Sequence, residues 1–315
     1  MINSSIFQQC IHETNATSWS SPYRGKVRDV YTINSKTLGI VATDRISAFD
    51  FILDKPIPFK GQILNTLSKY FFDQIEDIIP THIIDVPHPN VTIAKKCEAL
   101  PVEVVVRGYL TGHALRTYNS GKRILCGIPL PEGMKMNQKF EQPILTPTTK
   151  AMEGHDEDIS RDEIIKQNIL SEDVWNEVES YALKLFGRGT QIANKRGLIL
   201  VDTKYEFGFF EDKLHLIDEV HTPDSSRYFY ADEYQYAFEN EQPQKQLSKE
   251  FVREWLMSQG FDGKTGLPPS LPDDFRIEVY EKYRNLFTLL TEQEFSPTSS
   301  ENFNQYLEAL FYRYK

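Results

Sequence analysis

The residues with the clearest chemical potential lie in two neighbouring segments, GLILVDTKYEFG (197–208) and LIDEVHTPDSSRYFY (216–230). Each opens with an apolar run typical of a buried strand and then becomes polar. Because side chains alternate along a strand, Asp202, Lys204 and Glu206 are expected on one face. Charged groups at the end of a buried strand indicate a site for a charged ligand.

The short EDK sequence at 211–213 joins these segments and predicts a hairpin. If the hairpin is symmetric about Asp212, Glu206 lies directly opposite Asp218. Opposed carboxylates at a Cβ separation of ~5 Å repel each other. A raised pKa on one acid or a bound divalent cation would offset the repulsion. A register slip of one residue would instead turn Asp218 to the other face, so a metal site and a pair of solvated acids both remain open.

Cationic residues accompany glycines or a polar turn at several points. Arg227 follows the turn TPDSS and is able to form two hydrogen bonds to a phosphate or a carboxylate, although an arginine taken alone more commonly forms an ordinary surface ion pair. In VVVRGYLTGHALRTY, Arg107 ends a predicted buried strand ahead of Gly112 and His113, an arrangement that suits anion capture. A histidine such as His113, taken alone, is more often structural than catalytic.

A second basic motif, SPYRGKVRDVY, places Gly25 beside Lys26 at the start of a predicted strand. Gly25 lets the backbone approach a phosphate, and Lys26 and Arg28 are expected on one face. An exposed basic edge strand that prevents aggregation is the alternative. Further polar candidates are Asp44, Arg45, Ser47 and Asp50 in ATDRISAFD, and Lys150, His155 and Asp156 in TPTTKAMEGHDEDIS.

The totals restrict the class of protein. A net charge of −10 over 315 residues argues against a nucleic-acid binder. The three cysteines are far apart and predict neither a disulfide framework nor a zinc site. The first residues do not resemble a secretory signal, and no run approaches ~18 apolar residues, so no membrane association and a cytoplasmic location are expected. The oligomeric state is not predicted.

Common catalytic signatures are missing from the sequence. DGKTG (262–266) resembles the end of a P-loop, but position 258 is Ser258 instead of glycine and no strand precedes it. No dinucleotide fingerprint follows a strand, and neither a nucleophile elbow nor an H-E-x-x-H motif occurs.

The predicted elements are mixed. They comprise two strands within 23–54, a helix over 61–77, a strand over VEVVVRGYL and a long loop at 126–155. Ser160 and Glu163 form a capping box that begins a helix, and a further helix is predicted from about Glu172 to Phe186, ending at Gly187. We therefore expect an α+β fold of two lobes. The expected lobes are a small β-rich N-terminal lobe (1–105) and a larger α/β lobe (106–315), with a ligand cleft between them.

Eight ordered segments together resemble one family, the SAICAR synthetases (phosphoribosylaminoimidazole-succinocarboxamide synthases), in their longer monofunctional form. They are RGKVRDVY, ATDRISAFD, KGQILNTLSKYFF, VEVVVRGYLTGHA, TPTTKAMEGHDEDIS, LVDTKYEFG, LIDEVHTPDSSRY and GFDGKTGLPPSLPDDF. The resemblance implies an ATP-dependent ligase of de novo purine biosynthesis, with Mg²⁺ as cofactor and the ATP cleft between the lobes. Such a ligase joins 5-amino-1-(5-phosphoribosyl)imidazole-4-carboxylate (CAIR) to L-aspartate, giving SAICAR, ADP and phosphate. A small-molecule kinase that uses the same ATP cleft is the alternative.

The resemblance also implies roles for individual residues. It assigns ATP binding to Gly25, Lys26, Arg28 and Glu103; substrate binding to Arg107, His113, Arg227 and Asp156; catalysis to Asp202, Lys204 and Asp224; and the metal to Glu206 and Asp218. One position departs from the family pattern, since many members carry Ser where this chain has His113. Imidazole is larger than a hydroxyl and its charge depends on pH, so Arg107 is the stronger candidate for binding the phosphate.

Overall fold

A computed structural model describes residues 4–19, 21–150 and 157–315 and has an α+β fold. The chain forms two compact units. The first comprises Met1–Tyr70, His82–Cys97 and Ser248–Lys315, and the second comprises Phe71–Thr81 and Glu98–Leu247. This division differs from the predicted boundary near residue 105, because the C-terminal segment belongs to the first unit.

The described residues contain fifteen strands, many of them short. They are β1 (Tyr23–Arg24), β2 (Arg28–Thr32), β3 (Thr37–Ala42), β4 (Ser47–Ala48), β5 (Phe51–Ile52), β6 (Ile83–His88), β7 (Val91–Lys95), β8 (Glu98–Tyr109), β9 (Ile124–Leu125), β10 (Ile128–Pro129), β11 (Lys139–Thr149), β12 (Leu198–Phe210), β13 (Lys213–Ile217), β14 (Ser226–Tyr230) and β15 (Gln246–Leu247).

Eight α-helices and two short 3₁₀ helices complete the described elements. The α-helices are α1 (Lys60–Asp73), α2 (Gly112–Asn119), α3 (Arg161–Lys166), α4 (Glu172–Lys195), α5 (Ala231–Glu239), α6 (Glu250–Ser258), α7 (Asp273–Thr291) and α8 (Phe303–Phe311). The 3₁₀ helices are Ser4–Gln9 and Tyr312–Tyr314.

The first unit is built on an antiparallel sheet in the order β1-β2-β3-β7-β6. The predicted strand–turn–strand of residues 23–54 is confirmed as β2 and β3. Inward-facing residues such as Tyr31 and Val41 are fully buried and form a core with Phe311 of α8. Gly39 allows this packing, because a Cβ there would lie 2.5 Å from the Phe311 ring. The last helix therefore completes the core of the N-terminal sheet.

The second unit is built on an antiparallel sheet in the order β11-β8-β12-β14-β15, with β13 also paired to β12. The central strand β12 alternates as predicted. Thr203, Tyr205 and Phe207 lie buried on one face, and Asp202, Lys204 and Glu206 occupy the other. Helix α4 packs against β12. One face of β12 thus packs in the core, and the other face carries the charged side chains.

The predicted loop at 126–155 is wrong over residues 139–149, which form strand β11. This strand contains two prolines, Pro143 and Pro147, which are more typical of a loop. Proline lacks a backbone N–H and is tolerated on an edge strand, and β11 lies at the edge of its sheet. This strand leads directly to Lys150.

The predicted end of a helix at Gly187 is also wrong, because α4 continues to Lys195. Gly189, inside the helix, is needed for packing, since a Cβ there would lie 2.3 Å from the His221 ring. His221 is fully buried, and its Nε2 lies 2.6 Å from the Tyr205 hydroxyl. Burial lowers the pKa of His221 to about 3, so the ring is neutral and structural.

The hairpin between β12 and β13 has a two-residue turn instead of the predicted three-residue loop. Glu211 and Asp212 both have positive φ, 51° and 58°, as a type I′ turn requires. The register therefore shifts by one residue and pairs Glu206 with Ile217. The predicted pairing of Glu206 with Asp218 is wrong.

Candidate functional site

A carboxylate pair does lie across the sheet, but its second member is Glu103. Glu206 of β12 is the direct partner of Glu103 of β8. The Lys204 ammonium donates to both carboxylates, at 2.6 Å to Glu206 and 2.9 Å to Glu103. Lys204 and Glu206 share a face because they are two residues apart on β12, and Glu103 shares it as the direct cross-strand partner of Glu206. A cation between them offsets the repulsion that opposed acids would otherwise suffer.

The same cluster includes Lys150, which follows β11 and donates to the second oxygen of Glu206 at 2.5 Å. Burial alone would raise the pKa of Glu206, but Lys204 and Lys150 outweigh it and hold the pKa well below its usual value. Burial raises the pKa of Glu103 to about 7, although Lys204 acts in the opposite direction. In the sequence, Lys150 is one polar residue in a predicted loop. Because β11 was not predicted, the contact of Lys150 with Glu206 was not predicted either.

Two further acids, Asp218 and Asp224, lie in segments that interact with Lys204. Asp218 follows β13 with a φ of 68°, and its charge acts on the Lys204 ammonium. Burial would lower the pKa of Lys204, but the charges of Glu206, Glu103 and Asp218 together raise it. Half-buried Asp224 lies in the turn whose Ser225 carbonyl accepts a hydrogen bond from the Lys204 backbone N–H at 2.9 Å. Loss of the predicted register therefore does not remove Asp218 from the neighbourhood of Lys204.

Two arginines lie on either side of a third carboxylate on the same sheet. Asp202 is the cross-strand partner of both Arg107 on β8 and Arg227 on β14. One nitrogen of each guanidinium, Nη1 of Arg107 and Nε of Arg227, lies 3.6 Å from an Asp202 oxygen. Burial lowers the pKa of Arg107, against the Asp202 charge that raises it. Two cations around one carboxylate leave a local positive charge suited to an anion.

Neighbouring hydroxyl groups and a glycine orient these arginines. The Nε of Arg107 donates to the Thr146 hydroxyl at 2.8 Å, and Arg227 donates to the Thr111 hydroxyl at 3.2 Å. Gly112, at a φ of 53°, leaves room for Arg227, because a Cβ there would lie 2.5 Å from its Nη2. The turn after β8 thus places the Arg227 guanidinium.

His113 has a hydrogen-bond partner that the sequence did not reveal. Its Nε2 lies 2.7 Å from an oxygen of Asp158. The hydrogen bond to His113 lowers the pKa of Asp158, with burial acting in the opposite direction. Asp158 belongs to the acidic segment EGHDED, which is usually only solvated, so no sequence signal distinguished it. The predicted substrate residue Asp156 lies outside the described residues.

The glycine-containing loop of the first unit connects β1 and β2. Gly25 donates its N–H to the Arg28 carbonyl at 2.8 Å, and the Lys26 ammonium contacts Asp50. Buried Arg45 donates to the carbonyls of Gly25 and Arg28 at 3.0 and 3.2 Å. Arg45 of the ATDRISAFD segment therefore fixes the backbone of the loop. The Lys26 side chain is exposed to solvent.

Asp44 of the same segment is structural. Its carboxylate accepts hydrogen bonds from the backbone N–H groups of Ile11 and Gly61 at 2.7 and 2.8 Å. Burial raises the pKa of Asp44 to about 7, although these hydrogen bonds oppose the shift. Asp44 is therefore polar because it supplies hydrogen-bond acceptors to buried backbone N–H groups of the first unit.

The oxygen donors near Lys204 suit a hard cation chemically. Among the described residues no group of three or more His, Cys, Asp or Glu side chains is arranged as a complete metal site. Mg²⁺ bound with phosphates needs only one or two carboxylates. Both Glu206 oxygens are engaged by ammonium groups, so a cation there would replace one of them. Across the described residues, no helix has the length and apolarity needed to span a membrane.

Comparison with known proteins agrees with these features. The SAICAR synthetase family profile matches residues 21–268. A phosphoribosylaminoimidazole-succinocarboxamide synthase of Bacteroides thetaiotaomicron is 52% identical over 296 residues, covering 93% of this chain and 94% of the relative. The homologue from Azobacteroides pseudotrichonymphae is 53% identical over 281 residues, covering 89% of this chain and 87% of the relative.

A solved structure shares both sequence and fold with this protein. The SAICAR synthase from Saccharomyces cerevisiae, in complex with SAICAR, has a TM-score of 0.80 and 33% identity. The match covers 91% of this chain and 100% of the yeast chain. With relatives above half identity along nearly its whole length, the chain belongs to the SAICAR synthetase family.

Proposed function

We propose that the protein condenses CAIR with L-aspartate to form SAICAR, with cleavage of ATP to ADP and phosphate. The observation that carries the proposal is the charged face of the second sheet. There, Glu103, Lys204 and Glu206 form one cluster, and the Arg107–Asp202–Arg227 group lies one step further along the same strands. Family membership supports the ligase reaction, and the relatives' names do not favour the kinase alternative.

The first proposed step activates an unreactive carboxylate. An oxygen of the CAIR carboxylate attacks the γ-phosphorus of ATP, and the bond to the β–γ bridging oxygen breaks as ADP leaves. Phosphoryl transfer is accelerated mainly by positioning and by neutralising charge. Lys204, whose ammonium is held by two carboxylates, is the proposed cation for this step. Its fixed position means that little reorganisation is needed when charge develops.

The second proposed step forms the amide. The neutral aspartate amine attacks the activated carbonyl carbon, and phosphate leaves with the bonding electrons of the C–O bond. The attacking nitrogen then loses a proton, and Asp202 and Asp224 are the proposed carboxylate acceptors. Asp202 lies between two arginines, so its position is determined from both sides.

The ribonucleotide is proposed to bind the arginine group. Arg107 is almost fully buried, and Thr146 and Asp202 fix its guanidinium in position for an anion. Arg227 has the planar donor geometry that suits phosphate or carboxylate. His113 and Asp156 are proposed as further substrate contacts.

Gly25, Lys26, Arg28 and Glu103 are the proposed ATP-binding residues. An exposed lysine beside a backbone-constrained glycine loop supports this role for Lys26. Glu206 and Asp218 would hold Mg²⁺, which when bound neutralises phosphate charge. The cytoplasmic location expected from the sequence remains a prediction.

An assay of ADP release tests the proposal directly. Purified protein with ATP, CAIR and Mg²⁺ should release ADP at a rate that depends on added L-aspartate, and mass spectrometry should detect SAICAR. ADP formation with CAIR but independent of aspartate, accompanied by a phosphorylated CAIR hydroxyl, would instead identify a kinase. Omission of Mg²⁺ with excess chelator should abolish turnover.

A further inference from the structure

A strained two-residue turn lies beside the loop that is proposed to bind ATP. Phe49 and Asp50 join the short strands β4 and β5 and have φ values of 51° and 65°. Turns with positive φ at both positions favour Asn-Gly, because a Cβ is poorly tolerated there. A bulky phenylalanine in such a turn persists only when its surroundings hold it in place.

The C-terminal segment of the first unit supplies that support. Gly263 packs so closely that a Cβ on it would lie 2.5 Å from the Cβ of Phe49. The Phe261 ring meets Phe49 edge-on at a centroid distance of 5.9 Å, and it meets Phe51 in the same manner at 5.5 Å. Arg253 of α6 lies 5.5 Å from the centre of the Phe49 ring. The DGKTG sequence, which is not a P-loop, therefore holds this turn.

The other residue of the turn contacts the loop lysine. Asp50 forms an ion pair with Lys26, and the two side chains are 50% and 54% exposed. An exposed ion pair of this kind is weak, but it is enough to bias the direction of a long and flexible lysine side chain. Arg45 holds the loop backbone but contacts no atom of the Lys26 side chain among the hydrogen bonds found in the described residues. The direction of the Lys26 ammonium therefore depends on where the turn is held.

We propose that the Phe49–Asp50 turn, held by Phe261 and Gly263, is a positioning element that orients Lys26 toward the phosphates of ATP. The inference rests on the proposed function, since it assumes that Lys26 binds nucleotide. Asp50 and Gly263 are positioning residues in this scheme, and neither touches the reacting atoms.

Two glycines of the same segment provide a matched comparison. Gly263 and Gly266 have similar φ values, 82° and 78°, so alanine is equally strained at both. Only Gly263 faces Phe49, because a Cβ on Gly266 would meet nothing within 4 Å. Gly263→Ala should raise the KM for ATP and the Kd for adenylyl imidodiphosphate by about fivefold or more, with kcat and the KM for aspartate nearly unchanged. Gly266→Ala should change each by less than about twofold. Equal effects of the two variants on nucleotide binding would overturn the proposal.

A second variant leaves the packing intact. Asp50→Asn removes the charge that holds Lys26 and should also raise the Kd for the ATP analogue, whereas an unchanged or lower Kd would overturn the proposal. Combined with Gly263→Ala, it should add little, because both act through Lys26. The proposed function fails separately: if the wild-type protein does not bind the analogue, or if Lys26→Met binds it normally, the ATP site itself is wrong.

Discussion

Glu206 lies directly opposite Glu103 across β12 and β8, and the Lys204 ammonium donates to both carboxylates at 2.6 and 2.9 Å. Two acids in this arrangement are stable only because a cation lies between them. Lys204 also has to stay protonated, and the surrounding acids raise its pKa to ensure this. The group therefore behaves as one electrostatic unit with a role in both stability and chemistry.

Removal of Lys204 should expose the repulsion between the two acids. We expect Lys204→Met to lower the free energy of unfolding by about 2–3 kcal/mol, less than for a fully buried pair because the side chain is partly exposed. Adding Glu103→Gln should recover part of the loss, since only one buried charge then remains. Urea denaturation of the single and double variants at pH 8 measures this coupling. If the losses in unfolding free energy of the two single variants simply add in the double variant, Lys204 and Glu103 are not coupled.

Glu206→Gln should lower kcat by at least about a hundredfold, the scale on which loss of one preorganised charge acts. Turnover falls because Lys204 and Lys150 lose the partner that places them. Steady-state ADP release measures the effect. Glu98→Gln, an exposed acid on the neighbouring strand β8, is the control and should behave like the wild type. Near-normal turnover of the Glu206 variant would eliminate both the metal and the positioning role.

The raised pKa of Glu103, about 7, predicts a specific pH dependence of stability. In the unfolded chain the pKa returns to its ordinary value near 4.5. Between these values the folded state binds more protons, so stability relative to Glu103→Gln is greatest below pH 4.5 and is lost as pH rises through 7. The difference amounts to about 3 kcal/mol. Unfolding free energies of both proteins at several pH values between 5 and 8 test the sign, and a difference that grows with pH would contradict it.

Gly187 and Gly189 of α4 should respond in opposite directions to alanine. Both sites gain up to about 1 kcal/mol from better helix propensity. Gly187 has nothing within 4 Å of a new Cβ, whereas at Gly189 the Cβ would collide with His221. Overpacking costs about 1–3 kcal/mol, so Gly189→Ala should be destabilised and Gly187→Ala stabilised. Thermal unfolding measures both, and a stabilised Gly189 variant would show that His221 is free to move.

His113→Ser should change substrate affinity only modestly. Because His113 is partly exposed and already paired with Asp158, we expect the KM for CAIR to change by less than about tenfold, or ~1.4 kcal/mol. Asp158→Asn is the companion variant and should produce a shift of similar size. Titration of the ribonucleotide at fixed ATP and aspartate provides the measurement. A larger loss would assign His113 a role beyond phosphate contact.

The face of β12 was predictable from the residues alone. A buried run that ends in Asp202, Lys204 and Glu206 dictates one charged face, because side chains alternate whatever the partner strand. The strands β2 and β3 and the capping box at Ser160 likewise follow from local sequence. These features depend on neighbours within a few residues.

The partner of Glu206 was decided by the tertiary structure. A two-residue turn at Glu211 and Asp212 moved Asp218 out of register, and a strand about 100 positions earlier in the chain supplied Glu103 instead. The geometry of a turn can shift the register of a hairpin by one residue, and the order of strands in a sheet brings distant segments together. The local pattern of hydrophobic and polar residues determines neither. For the same reason, only the folded structure shows the contact of Lys150 with Glu206, the contact of Asp158 with His113 and the packing of Gly263 against Phe49.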